Sequence, residues 1–178
     1  MLWELPTAAL VALNIGAWLL VHLGVAYLAT QAPAERIDLD GWLLRARRFE
    51  HGGQLYERAF RITRWKGKLP DGAALFKKGF RKQRFASRDA AYLQRFARET
   101  GRAELAHWAV MACAPLFFLW NPPWAGGAMI AYAVLANAPC ILAQRYNRFR
   151  LRRVLAQRGR DGAQHRAPGC AVQNTSGT

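Results

Sequence analysis

Glu104 and His107 stand three residues apart at the start of "RAELAHWAVMACAPLFFLW", a stretch that runs apolar as far as Trp120. Residues three apart on a helix are neighbours on its surface. A carboxylate beside an imidazole is suited to proton transfer, because the ring titrates near neutral pH. Upstream, Tyr92, Arg95, Glu99 and Arg102 fall on one face at about 100° per residue. Downstream, Asn137, Gln144 and Arg148 form a stripe at spacings of seven and four. Polar groups at helix ends can also serve only to pin those ends. Glu-x-x-His also binds metal in helical bundles, but such sites need further carboxylates and a second His. No metal is expected here. Cys140 lies among apolar residues, where a thiol is inert, so it is read as packing.

The elements that must position these groups follow from how charge is segregated. The 178 residues carry a formal net charge of +15, yet 52% are hydrophobic. From Leu5 to Ala34, and again from Leu105 to Gln144, there is no Asp, Glu, Lys or Arg. A hydrocarbon core about 30 Å thick needs roughly 20 apolar helical residues. Residues 6–29 supply one span, and 105–144 suit two, broken where Asn121, Pro122 and Pro123 end a helix. The arm from Leu105 to Trp120 is short and must borrow length or lie shallow. The first block resembles a signal peptide only in position. It carries Glu4 rather than Lys or Arg in front and is long, which predicts a retained anchor. Inside it, Asn14 and His22 are polar groups at membrane depth. Such groups are functional hints, though a neutral His more often bonds a neighbouring helix.

Orientation follows from Lys and Arg. The segment from Arg36 to Arg102 holds 18 of the 26, and the stretch after Gln144 holds the other 8. The positive-inside rule then places both in the cytoplasm, with the amino terminus and the proline turn outside. The expected fold is an all-α integral membrane protein of about three transmembrane helices, with a basic, aromatic cytoplasmic segment between the first and second. Its parts are an anchor (1–35), the basic interfacial segment (36–98), a transmembrane hairpin carrying the candidate site (99–153) and a disordered tail (154–178). In the basic segment Trp42, Phe49, Tyr56, Phe60 and Trp65 alternate with Arg and Lys. Between two apolar blocks this reads as contact with lipid headgroups rather than nucleic acid. "KLPDG", with Pro70 and Gly72, reads as a turn. "ALFKKGFRKQRF" reads as a surface-lying stretch. Three irregularly spaced cysteines, including Cys113 and Cys170, give neither a zinc motif nor a disulfide framework.

If the two arms of the hairpin fold back at residues 121–126, positions whose numbers add to about 247 share a depth. His107 is then level with Cys140, Ala103 with Gln144, and Glu99 with Arg148. Glu99, Glu104, His107, Gln144 and Arg148 converge where membrane meets cytosol.

The wording of the sequence is itself distinctive. "FEHGGQLYERAFRITRWKGKLPDG", "YLQRFARETGRAELAHW", "LFFLWNPPW" and "YAVLANAPCILAQRYNRFRLRRVL" resemble the glycosyl-4,4'-diaponeurosporenoate acyltransferase family, over roughly residues 40–153. The resemblance implies a bacterial cytoplasmic-membrane enzyme that transfers a fatty acyl group from a thioester, such as acyl-coenzyme A, to a sugar hydroxyl of a glycosylated carotenoid-type lipid. No cofactor is implied. Under that reading His107 is the base and Glu104 or Glu99 orients it. Gln144, Asn147 or Arg145 donates to the oxyanion. Lys66, Lys68, Arg148 and Arg150 meet the donor's phosphates. Trp65, Arg102 and Asn137 complete the substrate-binding set. The His-x4-Asp pattern of glycerolipid acyltransferases is absent, since Ala112 stands five residues after His107, and there is no Gly-x-Ser-x-Gly elbow. The alternative is a non-catalytic membrane protein that binds lipid or helps assemble an enzyme complex, using the same polar groups as interhelical hydrogen bonds.

Overall fold

Membrane-like composition at both ends of the chain dictates two long helices. The computed structural model describes residues 5–69 and 90–164, the final four as backbone. Among these, every regular element is helical: α1 (Thr7–Gln31), α2 (Gln54–Arg58), α3 (Ala90–Cys113), α4 (Pro123–Gln164), and short 3-10 turns between them. The turn at Pro70 and Gly72, the basic stretch 74–85, Cys170 and residues 165–178 lie outside the described residues.

Helix α1 begins after Pro6 and stops at Ala32, the residue before Pro33, where the proline ring disfavours helical geometry. It exposes Ile15 (58%), Leu20 (75%) and Leu28 (67%) around its circumference. Helices α1 and α4 are long and apolar enough to cross a bilayer. Helix α3 is amphipathic. Its first half carries Arg95, Arg98, Glu99, Arg102 and Glu104, and only its last turns are apolar. The chain then tightens into a 3-10 turn over Ala114–Leu119, with Pro115 in its first turn. Because 3-10 geometry rises faster per residue, Leu105 to Leu119 extends about 25 Å, which lengthens the short arm.

Pro123 opens α4 at a position where a missing N–H costs nothing. This helix continues through Pro139 to Gln164. It is therefore ordered over residues 154–164, where the sequence reading put the start of a disordered tail.

Three packed clusters hold the helices. Trp18, Val110, Ala114, Phe117 and Ala133 join α1, α3 and α4 at the apolar end. Leu93, Ala97 and Leu151 join α3 to the basic half of α4. Tyr56 and Ile62 pack on Ala143 and Tyr146 of α4. The last cluster shows what the basic segment does. Its residues 36–69 are folded into short turns along the polar half of α4, and Arg152 ties them down through Asp40 (2.8 Å) and the Leu39 carbonyl (3.1 Å). The path needs a left-handed bend at His51, Gly52 and Gly53. At Gly53 (φ +97°) a Cβ would stand 2.9 Å from that of Phe149, so close approach as well as backbone freedom calls for glycine.

Far from the charged half, α1 is locked to the proline turn. Asn14 donates to Asn121 Oδ1 (2.9 Å), Asn121 donates back (2.8 Å), and Trp120 Nε1 donates to Asn14 Oδ1 (2.8 Å). Asn121 is only 1% exposed. Loss of Asn14 would leave the Trp120 N–H and one side of Asn121 without partners. Asn14→Leu should cost about 1–2 kcal/mol, read as a lower midpoint of unfolding in detergent, whereas Leu20→Ala, on the outer face of α1, should leave that midpoint unchanged.

Candidate active site

Glu104 is completely buried on α3, and a buried carboxylate must find cations. Helix α4 supplies two. Arg148 donates to Oε2 at 2.6 Å, and Arg145 Nε lies 2.8 Å from Oε1. The Nε of Arg145 is otherwise unbonded and this approach lies off its N–H direction, so the contact is ionic rather than a directed hydrogen bond. Arg145 then reaches a second buried carboxylate, Glu50, at 3.0 Å, and donates to the Leu43 and Arg45 carbonyls. Arg148 donates to the Leu44 carbonyl at 2.9 Å. Glu50 also accepts from the Tyr56 hydroxyl and the Arg47 N–H. Burial, then the bond to Glu50, pushes the Tyr56 phenol well above its usual range, so it stays a donor. Two carboxylates and two guanidiniums form a neutral group, the condition under which charge is tolerable inside a protein.

One turn deeper, His107 Nδ1 lies 2.9 Å from Asn137 Oδ1. The amide of Asn137 is oriented by its other end, where Nδ2 donates to the Ala133 carbonyl at 2.9 Å. The reverse orientation would set two oxygens against each other. Oδ1 therefore faces the ring and can only accept, so Nδ1 carries a proton. Asn137 is 1% exposed, which leaves it little freedom to turn. In this arrangement Nε2 is the nitrogen able to take a proton.

The expected register is thus shifted in two pairs: His107 meets Asn137, one turn from Cys140. Arg148 meets Glu104, not Glu99. Glu99 is instead bonded by Arg102, which also donates to the Thr30 and Ala32 carbonyls at the end of α1. That is a capping arrangement, favoured because the carbonyl end of a helix attracts cations. Glu99 and Arg102 line a polar pocket of about 420 Å³ with Arg95, Glu35 and residues 30–34. The contact with His107 expected of Glu104 or Glu99 is made by Asn137, and both oxygens of Glu104 face guanidinium groups. Arg148 is 4% exposed and committed to Glu104 and Leu44, so it is not open to a phosphate.

Lys66 donates to Asn147 Oδ1 at 2.9 Å and lies 4.6 Å from the centre of the Tyr146 ring. Burial and then the charge of Arg150 lower its pKa. Trp65 donates to the Phe60 carbonyl, which shapes the same corner. Gln144 is half-buried on α4, between the buried Ala143 and the ion-paired Arg145. Cys140 donates to the Ala136 carbonyl at 3.8 Å within α4. Glu50 and Tyr56 escaped the sequence reading. The available signal was a lone carboxylate among Arg45, Arg47 and Arg48, with a Tyr six residues on. Removing one partner of a buried ion pair strands the other charge, at about 3–5 kcal/mol. Glu104→Gln and Glu50→Gln should each sharply lower the amount of folded protein recovered from membranes, a loss seen in protein level before any activity is measured.

The family model described as glycosyl-4,4'-diaponeurosporenoate acyltransferase matches residues 40–157, which contain Glu50, Glu104, His107, Asn137, Arg145 and Arg148. Proteins of that name from Staphylococcus aureus strains bovine RF122 / ET3-1, Newman and USA300 are each 31% identical over 148 residues, covering 83% of this chain and 89% of theirs. No solved structure matches the chain. This chain belongs to the glycosyl-4,4'-diaponeurosporenoate acyltransferase family.

Proposed function

We propose that this protein is a membrane acyltransferase that moves a fatty acyl group from a thioester donor to a sugar hydroxyl of a glycosylated carotenoid-type lipid. The name shared by its relatives supports the acyl group and the glycosylated acceptor. The observation that carries the chemistry is the 2.9 Å contact of His107 Nδ1 with Asn137 Oδ1, the amide being oriented by the Ala133 carbonyl.

In this reading His107 Nε2 removes the proton from the acceptor hydroxyl as the oxygen attacks the thioester carbonyl. A new C–O bond forms, and the carbonyl π electrons move to oxygen. When the tetrahedral intermediate collapses, the C–S bond breaks and the thiolate takes the proton from the imidazolium. Asn137 holds the ring and accepts from Nδ1 throughout. Gln144, the residue before Arg145 on α4, is the side chain assigned to the developing oxyanion. Lys66 and Arg150, at the cytosolic end, supply charge for donor phosphates.

The same reading places the protein in the bacterial cytoplasmic membrane. Helix α1, the arm from Leu105 to Leu119 and the apolar part of α4 cross it, with the basic segment and the end of α4 in the cytoplasm. Segregation of every described cation to one end of the bundle supports this. A reporter fused after Gly162 should read cytoplasmic, and one inserted near Ala125 should read external; a cytoplasmic signal at Ala125 would remove the three-span arrangement.

The catalytic expectation separates base from support. His107→Gln keeps hydrogen bonding without basicity, and should lower acyl transfer by about 10²–10⁴-fold at normal protein level. Asn137→Leu should lower kcat with little change in KM, and Asn137→Asp, which still accepts from Nδ1, should restore much of it. Retention of most activity in His107→Gln, measured by mass spectrometry of the acylated product, would make His107 structural.

A further inference from the structure

A groove of about 390 Å³ runs along the membrane half of the molecule between α1 and α4. Its walls include Val11, Ile15, Trp18, Leu19, His22 and Tyr132. The lining is mostly carbon, with Asn14 and His22 as its polar residues. His22 Nε2 is buried and has no hydrogen-bond partner. The nearby polar groups are already engaged, Trp18 Nε1 with Met129 Sδ at 3.3 Å and Asn14 with Asn121. An unpaired imidazole nitrogen in apolar surroundings is costly, and lipid tails offer it nothing. The groove therefore suits a hydrocarbon chain that carries a hydrogen-bonding group at one end.

Position narrows the occupant. Val11 and His22 are eleven residues apart on α1, so the groove extends about 16 Å, near half the hydrocarbon core. The ring of His22 lies edge-on to Tyr132 at 6.4 Å. Tyr132 is five residues before Asn137 on α4, an axial rise of about 7.5 Å. The His22 end thus faces the depth at which Asn137 holds His107, and the Val11 end points away from the charged half. We propose that this groove holds the fatty acyl chain of the donor, with its methyl end toward Val11 and its carbonyl end leaving past His22 toward His107. The inference rests on the acyl-transfer reading of His107 and extends it to the chain. A groove of one-leaflet length fits a flexible saturated chain, and is too short for a rigid polyene that must cross the bilayer.

The test uses the full-length protein in phosphatidylcholine vesicles and a fatty acyl thioester bearing a diazirine. With the diazirine near the terminal methyl, cross-links should map to Val11–Ile15. With it near the carbonyl, they should move to Leu19–His22. Excess unlabelled acyl thioester should compete, and extra phosphatidylcholine should not. Ile15→Trp should shorten the longest chain found on the product, Val11→Trp should shorten it less, and Leu135→Trp, on the outer face of α4, should leave the chain-length distribution unchanged. Cross-links that persist in His107→Gln would support the groove even if no transfer were detected in the wild type, so the two readings fail separately. Uniform labelling that includes Leu28 and Leu135, or a chain-length profile that ignores Ile15→Trp, would identify the groove as ordinary lipid contact and overturn the proposal.

Discussion

The burial of Glu104 is the constraint on which the rest depends. A carboxylate with no exposure cannot remain charged without cations held close. The two that meet it, Arg145 and Arg148, come from one face of α4, three residues apart. That contact fixes how far α3 can slide along α4. Once it is fixed, His107, one turn along α3, stands opposite Asn137 rather than a turn above or below it. The same two arginines recruit Glu50 and the carbonyls of residues 43–45, so this part of the basic segment is drawn onto α4. One electrostatic requirement thereby orders three separate stretches of sequence.

Beyond this group the helices are joined by different physics. Toward the apolar end the described residues carry no charge, and α1 is held by stacked aromatics and a reciprocal amide pair. Trp18 lies on Phe117 with ring centres 4.4 Å apart, and Asn14 meets Asn121. Such contacts work where water is absent, because lipid tails cannot compete for the amide groups. His107 and Asn137 lie between the two regimes. Ions gather a turn away on one side, and apolar packing of Val110, Ala114 and Ala133 begins on the other. A water-soluble donor head and a lipid acceptor could both reach this boundary, and neither could easily reach a site deeper in either half.

Much of this was legible in the sequence, because membrane-like segments must declare themselves by lacking charge. The long helix over residues 6–29 and the break at Asn121–Pro123 follow from spacing, and Glu104 and Arg148, both expected at one level, do meet. The pairing of Glu99 with Arg148 did not survive. Uniform helical rise cannot foresee that Arg102, one turn away, would take Glu99 to cap α1. Nor does local sequence reveal that Glu50 is buried, since the cations that make burial possible lie 95 residues away on α4. The replacement of a carboxylate by Asn137 as the partner of His107 was hidden for a related reason. An amide bound to its own helix backbone through Ala133 leaves no trace in residue periodicity, and only its side-chain geometry shows which atom it turns to the ring.

The central claim is the protonation state of one ring, and it can be observed directly. Nitrogen NMR on protein labelled with ¹⁵N-histidine, embedded in lipid nanodiscs near neutral pH, distinguishes the two neutral tautomers. The signal of His107 can be assigned among the four histidines by its loss in His107→Gln. A neutral ring protonated on Nδ1, with an unprotonated Nε2, is the expected result, and Asn137→Leu should abolish that preference. A ring protonated on Nε2, or one indifferent to Asn137, would contradict the assignment of His107 as an oriented base.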